Sequence, residues 1–374
     1  MKNLAILGCT GSIGRTTLKI VENHPEEFRI VLLANNENIE ELLFLGKKFN
    51  VPTLFCQKGL LIRNGKEEIF DKDFLCKSET YNSADIVINA ISGISGLLPS
   101  FAALKAEKIL ATANKESVVC GGELLRKECD FSKVYPLDSE HSTVWQCIGS
   151  PENVQKIILT ASGGAFRDLS YDELKNAKAV DALKHPNWMM GKKITIDCAT
   201  LVNKGLEIIE AKRFFQTDEV EAVLHRESII HSFVEMKDGA LIAGLSNPDM
   251  TIPIQYALSY PRRIASGVKK LSLTDIKTLN FDKIDEKRFP CFSLCKEAAR
   301  YGDYAGTILT ATDEIASRAY LNDEIGFYDI ADLLEKSFLH FGLNGVINST
   351  EELLRIYEEA EEYTKKSIKE LGCC

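Results

Sequence analysis

Two short segments carry carboxylates at spacings that suit a divalent cation. Asp138 and Glu140 are two residues apart, so on an extended segment both side chains point the same way and can reach one ion. Asn203, Lys204 and Glu207 share one face of a predicted helix, because residues three and four apart are neighbours there. The amide, ammonium and carboxylate of that face could hold an anion and a metal side by side. Acidic residues in an exposed loop, and a solvated helix face with one salt bridge, remain the alternatives.

A glycine-rich segment joins the first predicted strand to the first predicted helix. Its sequence, Gly-Cys-Thr-Gly-Ser-Ile-Gly at 8–14, has the spacing GxxGxxG rather than the strict GxGxxG. Glycines at such a turn let the backbone approach a pyrophosphate, which the N–H groups at the helix N-terminus then stabilise. A tight turn without a ligand is the alternative. Its position at the first strand-to-helix turn favours a dinucleotide site.

The residues after the second predicted strand bear on the choice between NAD and NADP. A carboxylate at this point favours the free ribose 2′-hydroxyl, whereas a basic or amide group tolerates the 2′-phosphate. The segment reads Asn-Asn-Glu-Asn at 35–38. The asparagines suit a phosphate, and Glu37 suits NAD if its side chain points inward. The residues alone leave the choice open; preference for NADP would require Glu37 to point to solvent.

Two further segments could contact a phosphorylated substrate. Ser162 and the two glycines that follow it end a predicted strand, where a hydroxyl and backbone amides could hold a phosphate; a plain loop is equally consistent. The segment 185–193, His-Pro-Asn-Trp-Met-Met-Gly-Lys-Lys, places a tryptophan and two methionines between polar residues. It is either a hydrophobic plug into the core or a lid that closes over substrate and excludes water. Taken alone, the residues favour the plug.

Alternating strand and helix signals in the first third of the chain must position these groups. Strands are predicted at 4–7, 29–34, 85–90 and 109–113, with helices at 16–22, 39–49 and up to 104. Such alternation indicates βαβ units and a parallel sheet. We therefore predict an α/β fold whose first domain, residues 1–128, is a Rossmann-like dinucleotide-binding domain.

The pattern changes after residue 128. Strands are predicted at 156–160 and 193–197, a helix at about 200–214, and an antiparallel hairpin within 220–245 with its turn at 237–239. This indicates an α+β catalytic domain over 129–270. A charged linker follows at 271–290, and helical periodicity predicts a C-terminal helical domain over 291–374.

Composition limits the class of protein. The chain has 374 residues, 45% of them hydrophobic, and a formal charge of −9. That composition excludes disorder as the main state, and a mildly acidic surface repels phosphate backbones and so argues against nucleic-acid binding. No apolar run approaches the roughly 18 residues of a membrane span, and the chain enters a strand without a signal-like segment. Eleven scattered cysteines without zinc spacing indicate reduced thiols. A cytoplasmic enzyme with no membrane partner is expected.

In this order, the segments resemble the 1-deoxy-D-xylulose 5-phosphate reductoisomerase family. The resemblance covers essentially the whole chain, including the helical tail. It is carried by GCTGSIG at 8–14, ANKES at 113–117, LDSEHS at 137–142, ASGGAFRD at 161–168, HPNWMMGKKITID at 185–197, ATLVNKGLEIIEA at 199–211 and NPDMTIPI at 247–254.

The resemblance implies an activity and its cofactors. A divalent ion, Mg²⁺ or Mn²⁺ with Co²⁺ as a further option, would assist the rearrangement of 1-deoxy-D-xylulose 5-phosphate. NADPH would then reduce the product to 2-C-methyl-D-erythritol 4-phosphate, a step of isoprenoid precursor biosynthesis. The resemblance also implies a homodimer formed through the second domain. A metal-free Rossmann dehydrogenase acting on another sugar phosphate is one rival. The other is a non-catalytic binding protein, although such a protein would usually have lost one of the three carboxylates.

The same resemblance assigns roles to individual residues. The implied metal ligands are Asp138, Glu140 and Glu207. The implied catalytic residues are Lys115, Glu140 and His185. The implied substrate contacts are Ser139, Ser162, His185, Trp188, Cys198, Asn203, Lys204 and Glu207, with His231 and Met250 near the same pocket. The implied cofactor contacts are Thr10, Gly11, Ser12, Ile13, Asn36, Asn38, Asn114, Glu116 and Gly191. Trp188 and Met190 match a flexible lid, which reverses the preference for a plug.

Three positions depart from the family pattern. Glu37 stands where the family has a small or basic residue beside the 2′-phosphate. Cys198 stands where a serine near the substrate phosphate is common. The block usually written HPQS reads His-Arg-Glu-Ser at 225–228.

Overall fold

The computed structural model describes residues 1–183 and 191–371, which form two compact units. Unit 1 comprises Met1–Ser117, Leu125–Ser142 and Asp249–Lys269. Unit 2 comprises Val118–Leu124, Thr143–Pro248 and the chain from Lys270 onward. The division into three domains with a linker stays a prediction.

Strands and helices alternate through most of the described residues. The strands are β1 (Lys2–Leu7), β2 (Phe28–Asn35), β3 (Thr53–Cys56), β4 (Leu60–Arg63), β5 (Lys66–Glu67), β6 (Ile86–Asn89), β7 (Ile109–Thr112), β8 (Val134–Pro136), β9 (Val154–Ala161), β10 (Val220–Leu224), β11 (Ile230–Met236) and β12 (Leu241–Leu245). The helices are α1 (Ser12–Asn23), α2 (Ile39–Lys48), α3 (Leu97–Lys105), α4 (Lys115–Val119), α5 (Gly122–Glu128), α6 (Ser139–Cys147), α7 (Tyr171–Lys175), α8 (Ala179–Ala182), α9 (Lys192–Thr200), α10 (Val202–Phe215), α11 (Thr251–Ser259), α12 (Pro290–Ala298), α13 (Asp303–Leu321), α14 (Asp329–Phe341) and α15 (Thr350–Leu371).

Unit 1 is built on a mostly parallel sheet. Its strand order is β5-β4-β3-β2-β1-β6-β7-β8; the pairs from β3 to β8 are parallel, while β4 and β5 add antiparallel strands at one edge. The chain leaves β1 first towards β2 and β3 and later towards β6, so the order reverses between β1 and β6. Ligands of such sheets bind outside the carboxyl ends of the strands at this switch point. The predicted α/β class and parallel sheet are confirmed.

The apolar runs of unit 1 explain its strands. The last four residues of β1, Leu4 to Leu7, are fully buried. A continuous buried run is typical of a parallel strand covered on both faces. The helix α1 buries Leu18, Ile20 and Val21 on one side and packs near α11. It starts at Ser12, four residues earlier than predicted, because the glycine-rich turn leads directly into it.

Unit 2 contains the second sheet and the C-terminal helices. The strand order is β10-β9-β11-β12, with β9 and β10 parallel and β11 antiparallel to both β9 and β12. The predicted hairpin is therefore β11–β12. One apolar core joins residues of this sheet, of α9 and α10, and of α12 to α15. The predicted helical tail is confirmed. No helix among the described residues is long and apolar enough to cross a membrane.

The predicted strand at 193–197 is wrong, because these residues belong to the helix α9. The segment Lys-Ile-Thr-Ile-Asp alternates polar and β-branched residues, which is typical of a strand. In the folded chain, Lys193 and Asp197 form an ion pair across one helical turn at 2.8 Å, and Lys193 also contacts Asp313 at 2.5 Å. These contacts and the burial of Ile196 outweigh the local strand preference.

Candidate active site

The glycine-rich turn of unit 1 is packed too closely for side chains at two positions. Gly8 has a φ of +81°, and a Cβ there would lie 2.4 Å from the carbonyl oxygen of Ala90. A Cβ on Gly14 would lie 2.4 Å from the carbonyl oxygen of Gly8. Ala90 directly follows β6, so this close approach lies at the switch point of the sheet. The helix α1 can therefore start tight against the strand ends, as a dinucleotide-binding turn requires.

The start of α1 leaves backbone donors for an anion. Gly11 is its N-cap and provides no side-chain cap, so N–H groups of the first turn have no acceptor within the helix. Thr10, Ser12 and Ile13 lie in this turn, and the Thr10 carbonyl accepts a hydrogen bond from Arg15 Nε at 2.9 Å. These features fit a pyrophosphate group.

The segment after β2 is fixed by its own asparagines. Asn38 is the N-cap of α2, and its side chain accepts a hydrogen bond from the N–H of Glu41 at 2.9 Å. Asn35 is buried and donates from Nδ2 to the Asn38 carbonyl at 2.7 Å. Asn36 is exposed. Glu37 is 65% exposed and lies 3.7 Å from the ammonium of Lys58, and that it turns away from a bound 2′-phosphate stays a prediction.

The buried side chain of Asn114 holds the loop after β6 by hydrogen bonds. Its Nδ2 donates to the carbonyls of Ile91 and Gly93 at 2.9 and 2.8 Å and to Glu116 Oε2 at 2.9 Å. Its Oδ1 accepts the N–H of Ser117 at 2.9 Å. Both predicted cofactor residues, Asn114 and Glu116, thus lie between the ends of β6 and β7. Asn114 is 1% exposed, so its part in any site would be to hold the loop backbone.

Asp138 and Glu140 meet a lysine at the carboxyl ends of β7 and β8. Their expected extended geometry is wrong, because α6 begins at Ser139 and Asp138 caps it. Asp138 Oδ1 accepts the Glu140 N–H at 3.1 Å, while Oδ2 lies 2.8 Å from Lys115 Nζ. The Ser139 hydroxyl donates to Glu140 Oε2. The carboxylates of Asp138 and Glu140, both half-buried, thus lie at the start of α6, and the ammonium of Lys115 contacts the first of them.

His141 is a residue that the spacing argument missed. Its ring is fully buried, and Nδ1 lies 3.4 Å from Asp138 Oδ1. The signal was present in the sequence, since His141 follows Asp138 by three residues, one helical turn. Lys115 and His141 together place two basic groups beside the Asp138 carboxylate.

The predicted shared face of Asn203, Lys204 and Glu207 is confirmed in unit 2. The helix α10 begins after Leu201, which has a φ of +62° and separates it from α9. Asn203 Nδ2 donates to Glu207 Oε1 at 2.5 Å, and Lys204 Nζ pairs with Glu207 Oε2. Lys204 and Glu207 are 4% and 2% exposed. Oδ1 of Asn203 is buried, has no hydrogen-bond partner among residues 1–183 and 191–371, and can therefore still accept one.

The Ser162 loop packs against the end of α9. Gly163 and Gly164 have φ values of +82° and +65°, and a Cβ on Gly164 would lie 2.5 Å from the Cys198 carbonyl oxygen. Ser162 Oγ accepts the Gly164 N–H at 3.3 Å. Cys198 is half-buried, and Gly191 is the exposed N-cap of α9. Because α10 starts immediately after α9, the Ser162 loop and the polar face of α10 are both positioned by the end of α9.

Comparison with known proteins identifies the family. A model of 1-deoxy-D-xylulose 5-phosphate reductoisomerase matches residues 4–122, and models of its C-terminal domains match 134–215 and 245–363. The 1-deoxy-D-xylulose 5-phosphate reductoisomerase of Desulforamulus reducens is 43% identical over 385 residues, covering 99% of this chain and 99% of that protein. The chain belongs to the 1-deoxy-D-xylulose 5-phosphate reductoisomerase family. A reductoisomerase of Bacillus cereus is 39% identical and covers 98% of this chain and 100% of that protein.

Solved reductoisomerase structures have the same fold. A crystal structure of DOX-P reductoisomerase in complex with NADPH, fosmidomycin and magnesium has a TM-score of 0.91 at 34% identity, covering 99% of both chains. The reductoisomerase of Zymomonas mobilis in complex with NADPH has a TM-score of 0.87 at 32% identity, covering 98% of this chain and 99% of that one.

For several residues implied by the reductoisomerase resemblance, the site role stays a prediction. His185, Trp188 and Met190, and with them the lid prediction, fall outside the described residues. His231 is buried in β11 with Nε2 2.9 Å from Ser246 Oγ, in unit 2. Met250 is the N-cap of α11, in unit 1.

The reductoisomerase block written HPQS is replaced here by a self-consistent set of contacts. His225 is buried; its Nδ1 lies 2.9 Å from the Asn280 carbonyl, and its Nε2 accepts the N–H groups of Ile229 and Ile230. Arg226 and Glu227, the two residues that differ from the family block, contact side chains of other segments. Arg226 pairs with Asp168 at 2.5 Å and Asp282 at 3.4 Å, and Glu227 accepts the Asn280 side chain at 2.5 Å. Arg226 and Glu227 thus hold the segment around residue 280 against the 225–228 block.

Proposed function

We propose that this chain rearranges 1-deoxy-D-xylulose 5-phosphate with the help of a divalent metal ion and reduces the product with NADPH to 2-C-methyl-D-erythritol 4-phosphate. The observation that carries the proposal lies in unit 1. A glycine cradle at the switch point and the Lys115–Asp138–Glu140 cluster both follow the carboxyl ends of strands in one parallel sheet. Family membership agrees with this activity, a step of isoprenoid precursor biosynthesis.

Asp138 and Glu140 are the proposed metal ligands of unit 1. Hard oxygen donors suit Mg²⁺, with Mn²⁺ as the alternative. The resemblance adds Glu207 of unit 2 as the third ligand. When bound, the metal ion polarises the substrate carbonyl, and NADPH supplies the hydride for the reduction.

The chain's own groups would hold charge and protons at stated atoms. Lys115 Nζ, 2.8 Å from Asp138 Oδ2, balances the negative charge of the two carboxylates and can donate a hydrogen bond to a substrate oxygen. Glu140 Oε2, which accepts the Ser139 hydroxyl, is the candidate proton acceptor in the rearrangement. His185 remains a predicted catalytic residue.

The substrate phosphate is assigned to unit 2. Ser162, Asn203 and Lys204 supply a hydroxyl, an amide and an ammonium, the donor types that bind phosphate. The close packing of Gly164 against the Cys198 carbonyl, which holds the Ser162 loop at the end of α9 next to α10, supports this assignment. Trp188 and Cys198 are proposed as further contacts. Holding the phosphate would let remote binding energy orient the reacting carbons.

A homodimer is proposed to form through the edge of the second sheet. β12 is the edge strand, and Leu241, Ile242 and Leu245 on it are exposed. An exposed apolar edge strand is a ready surface for a second chain. Light scattering on the purified protein tests this. Cytoplasmic localisation also stays a prediction.

The proposed reaction is tested by following NADPH oxidation with 1-deoxy-D-xylulose 5-phosphate. Turnover with Mg²⁺ and its loss in EDTA are expected, with 2-C-methyl-D-erythritol 4-phosphate as product. Turnover that survives exhaustive chelation, with no rearranged skeleton in the product, would instead indicate a metal-free dehydrogenase. Binding of NADPH without any turnover would indicate a non-catalytic protein.

A further inference from the structure

The loop after β3 brings a lysine to the ribose edge of the cofactor domain. β2 and β3 are parallel and in register, with Asn35 opposite Cys56, so both strands end at the same edge of the sheet. Lys58 comes two residues after β3. In dinucleotide-binding sheets, the residues after the second strand face the ribose 2′ position. Lys58 therefore stands next to the segment that decides between NAD and NADP.

Backbone hydrogen bonds fix this loop against the 35–38 segment. The N–H of Gln57 donates to the Asn35 carbonyl at 3.1 Å, and the N–H of Lys58 donates to the Asn36 carbonyl at 3.2 Å. Cys56 Sγ also donates to the Asn36 carbonyl at 3.3 Å. The position of the Lys58 backbone thus does not depend on its own side chain.

The charges at this edge explain how Glu37 can be tolerated. Lys58 Nζ lies 3.7 Å from Glu37 Oε2, and the two side chains are 60% and 65% exposed. Such an exposed, loose ion pair contributes little to stability and can exchange partners readily. Arg15, a cation of α1, is already held by Glu41 at 2.6 Å and by the Thr10 carbonyl. A dianionic 2′-phosphate is a stronger partner for an ammonium than one exposed carboxylate.

We propose that Lys58 supplies the positive charge that binds the 2′-phosphate of NADPH, exchanging Glu37 for the phosphate when the cofactor binds. A cation from the loop after the next strand thus takes the part of the small or basic residue that the family pattern has at position 37. Glu37 then acts against NADPH by holding Lys58 and by repelling the phosphate. The inference rests on the proposed use of NADPH.

Equilibrium binding separates this role from a structural one. Isothermal titration calorimetry of the full chain would use 2′,5′-ADP and 5′-AMP, which differ only in the 2′-phosphate, and also NADPH and NADH. K58Q is expected to weaken 2′,5′-ADP and NADPH about tenfold, the loss expected for a hydrogen bond to a charged group. The affinities for 5′-AMP and NADH, which lack the 2′-phosphate, should change by less than about twofold. E37Q is expected to act in the opposite direction, tightening 2′,5′-ADP.

The opposite signs make the test decisive. If the Lys58–Glu37 pair only stabilised the loop, K58Q and E37Q would weaken all four ligands alike and lower the thermal midpoint together, and the inference would be overturned. K48Q is the matched control, because Lys48 forms an exposed ion pair with Glu22 at 2.9 Å in the same unit. It should leave all four affinities unchanged. Wild-type protein that binds NADH as tightly as NADPH would refute the proposed cofactor, whereas an NADPH preference untouched by K58Q would refute Lys58 alone.

Discussion

Lys115 Nζ lies 2.8 Å from Oδ2 of Asp138, with both side chains half-buried at the ends of neighbouring strands. The pair joins the segment after β7 to the cap of α6, although 23 residues separate the two in sequence. Asp138 uses its other oxygen to cap the helix through the N–H of Glu140 at 3.1 Å. The carboxylate is thus oriented by the protein before any metal binds.

Replacing Lys115 by glutamine should separate metal binding from turnover. Without the ammonium, the negative charge of the two carboxylates is no longer partly compensated, so Mg²⁺ affinity should rise or stay unchanged. Turnover should fall by roughly 10²–10⁴-fold, the range for losing a positioned proton donor or charge-stabilising group. Calorimetric Mg²⁺ titration and NADPH oxidation would be measured on the same preparation. A K115Q enzyme with undiminished kcat would contradict the proposed role.

Replacing Glu207 by glutamine should affect stability and metal binding together. Glu207 is the buried carboxylate that pairs with Lys204, so E207Q removes one charge of a buried ion pair inside unit 2. Breaking a buried pair on one side destabilises by about 3–5 kcal/mol. We expect a lower thermal midpoint, weaker Mg²⁺ binding and nearly abolished turnover.

The double variant K204M/E207Q distinguishes the two effects of E207Q. Removing both charges leaves neither half of the buried pair behind, so the thermal midpoint should recover while Mg²⁺ binding and turnover stay low. Full activity of E207Q after EDTA treatment would refute Glu207 as a ligand. Recovery of activity in step with the thermal midpoint would assign Glu207 a structural role only.

The parts of the fold that could be predicted were those whose signal is local. The buried run of β1 and the turn at 8–14 predict a strand, a close approach and a helix, and Gly8 and Gly14 make that approach. The same holds for the face of α10, because a helix brings Asn203 and Glu207 together whatever surrounds it.

One error arose where a contact distant in sequence decides the structure, and another where a local helix cap does. Residues 193–197 alternate like a strand, yet Lys193 is held in a helix by Asp313, 120 residues away. The spacing of Asp138 and Glu140 suggested an extended segment, whereas Asp138 lies two residues after a short strand and caps the helix that begins at Ser139. An aspartate before a polar turn is also a helix-start signal, which could have corrected that prediction. Lys58 had no local signal, because only the pairing of β2 with β3 brings it to Glu37.

Stability should fall as pH rises because of Asp303. Burial raises the pKa of this carboxyl from 3.8 to about 7, opposed by hydrogen bonds from the N–H groups of Glu123 and Leu124. Between about pH 4 and 7, the folded state holds a proton on Asp303 that the unfolded state has lost. The free energy of unfolding therefore decreases as the pH rises through this window, by at most about 4 kcal/mol.

The variant D303N should flatten that pH dependence. An amide cannot titrate, so the thermal midpoint of D303N should fall less between pH 4.5 and 7.5, roughly the window set by the raised pKa, than that of the wild type. D275N, on an exposed part of the chain, is the control and should keep the wild-type slope. Equal slopes in D303N and wild type would show that other groups set the pH dependence.

The last prediction concerns Cys198, which the family resemblance places beside the substrate phosphate. The thiol is half-buried on α9, and its carbonyl backs onto Gly164 of the Ser162 loop. A serine hydroxyl is a stronger donor than a thiol, and a hydrogen bond to a charged phosphate contributes about 1.5–3 kcal/mol. Because the phosphate does not change during the reaction, the gain should lower KM and leave kcat within about a factor of two.

The alternative is that Cys198 serves only as a small apolar residue packed under the helix. C198S would then lower the thermal midpoint by burying a hydroxyl, without improving substrate binding. We expect instead that KM for the sugar phosphate falls several-fold while the thermal midpoint changes little. C147S, on the half-buried Cys147 of α6, is the matched control and should leave KM unchanged. An unchanged KM together with a lowered midpoint in C198S would reject the phosphate contact, because a hydroxyl in reach of the phosphate must strengthen its binding.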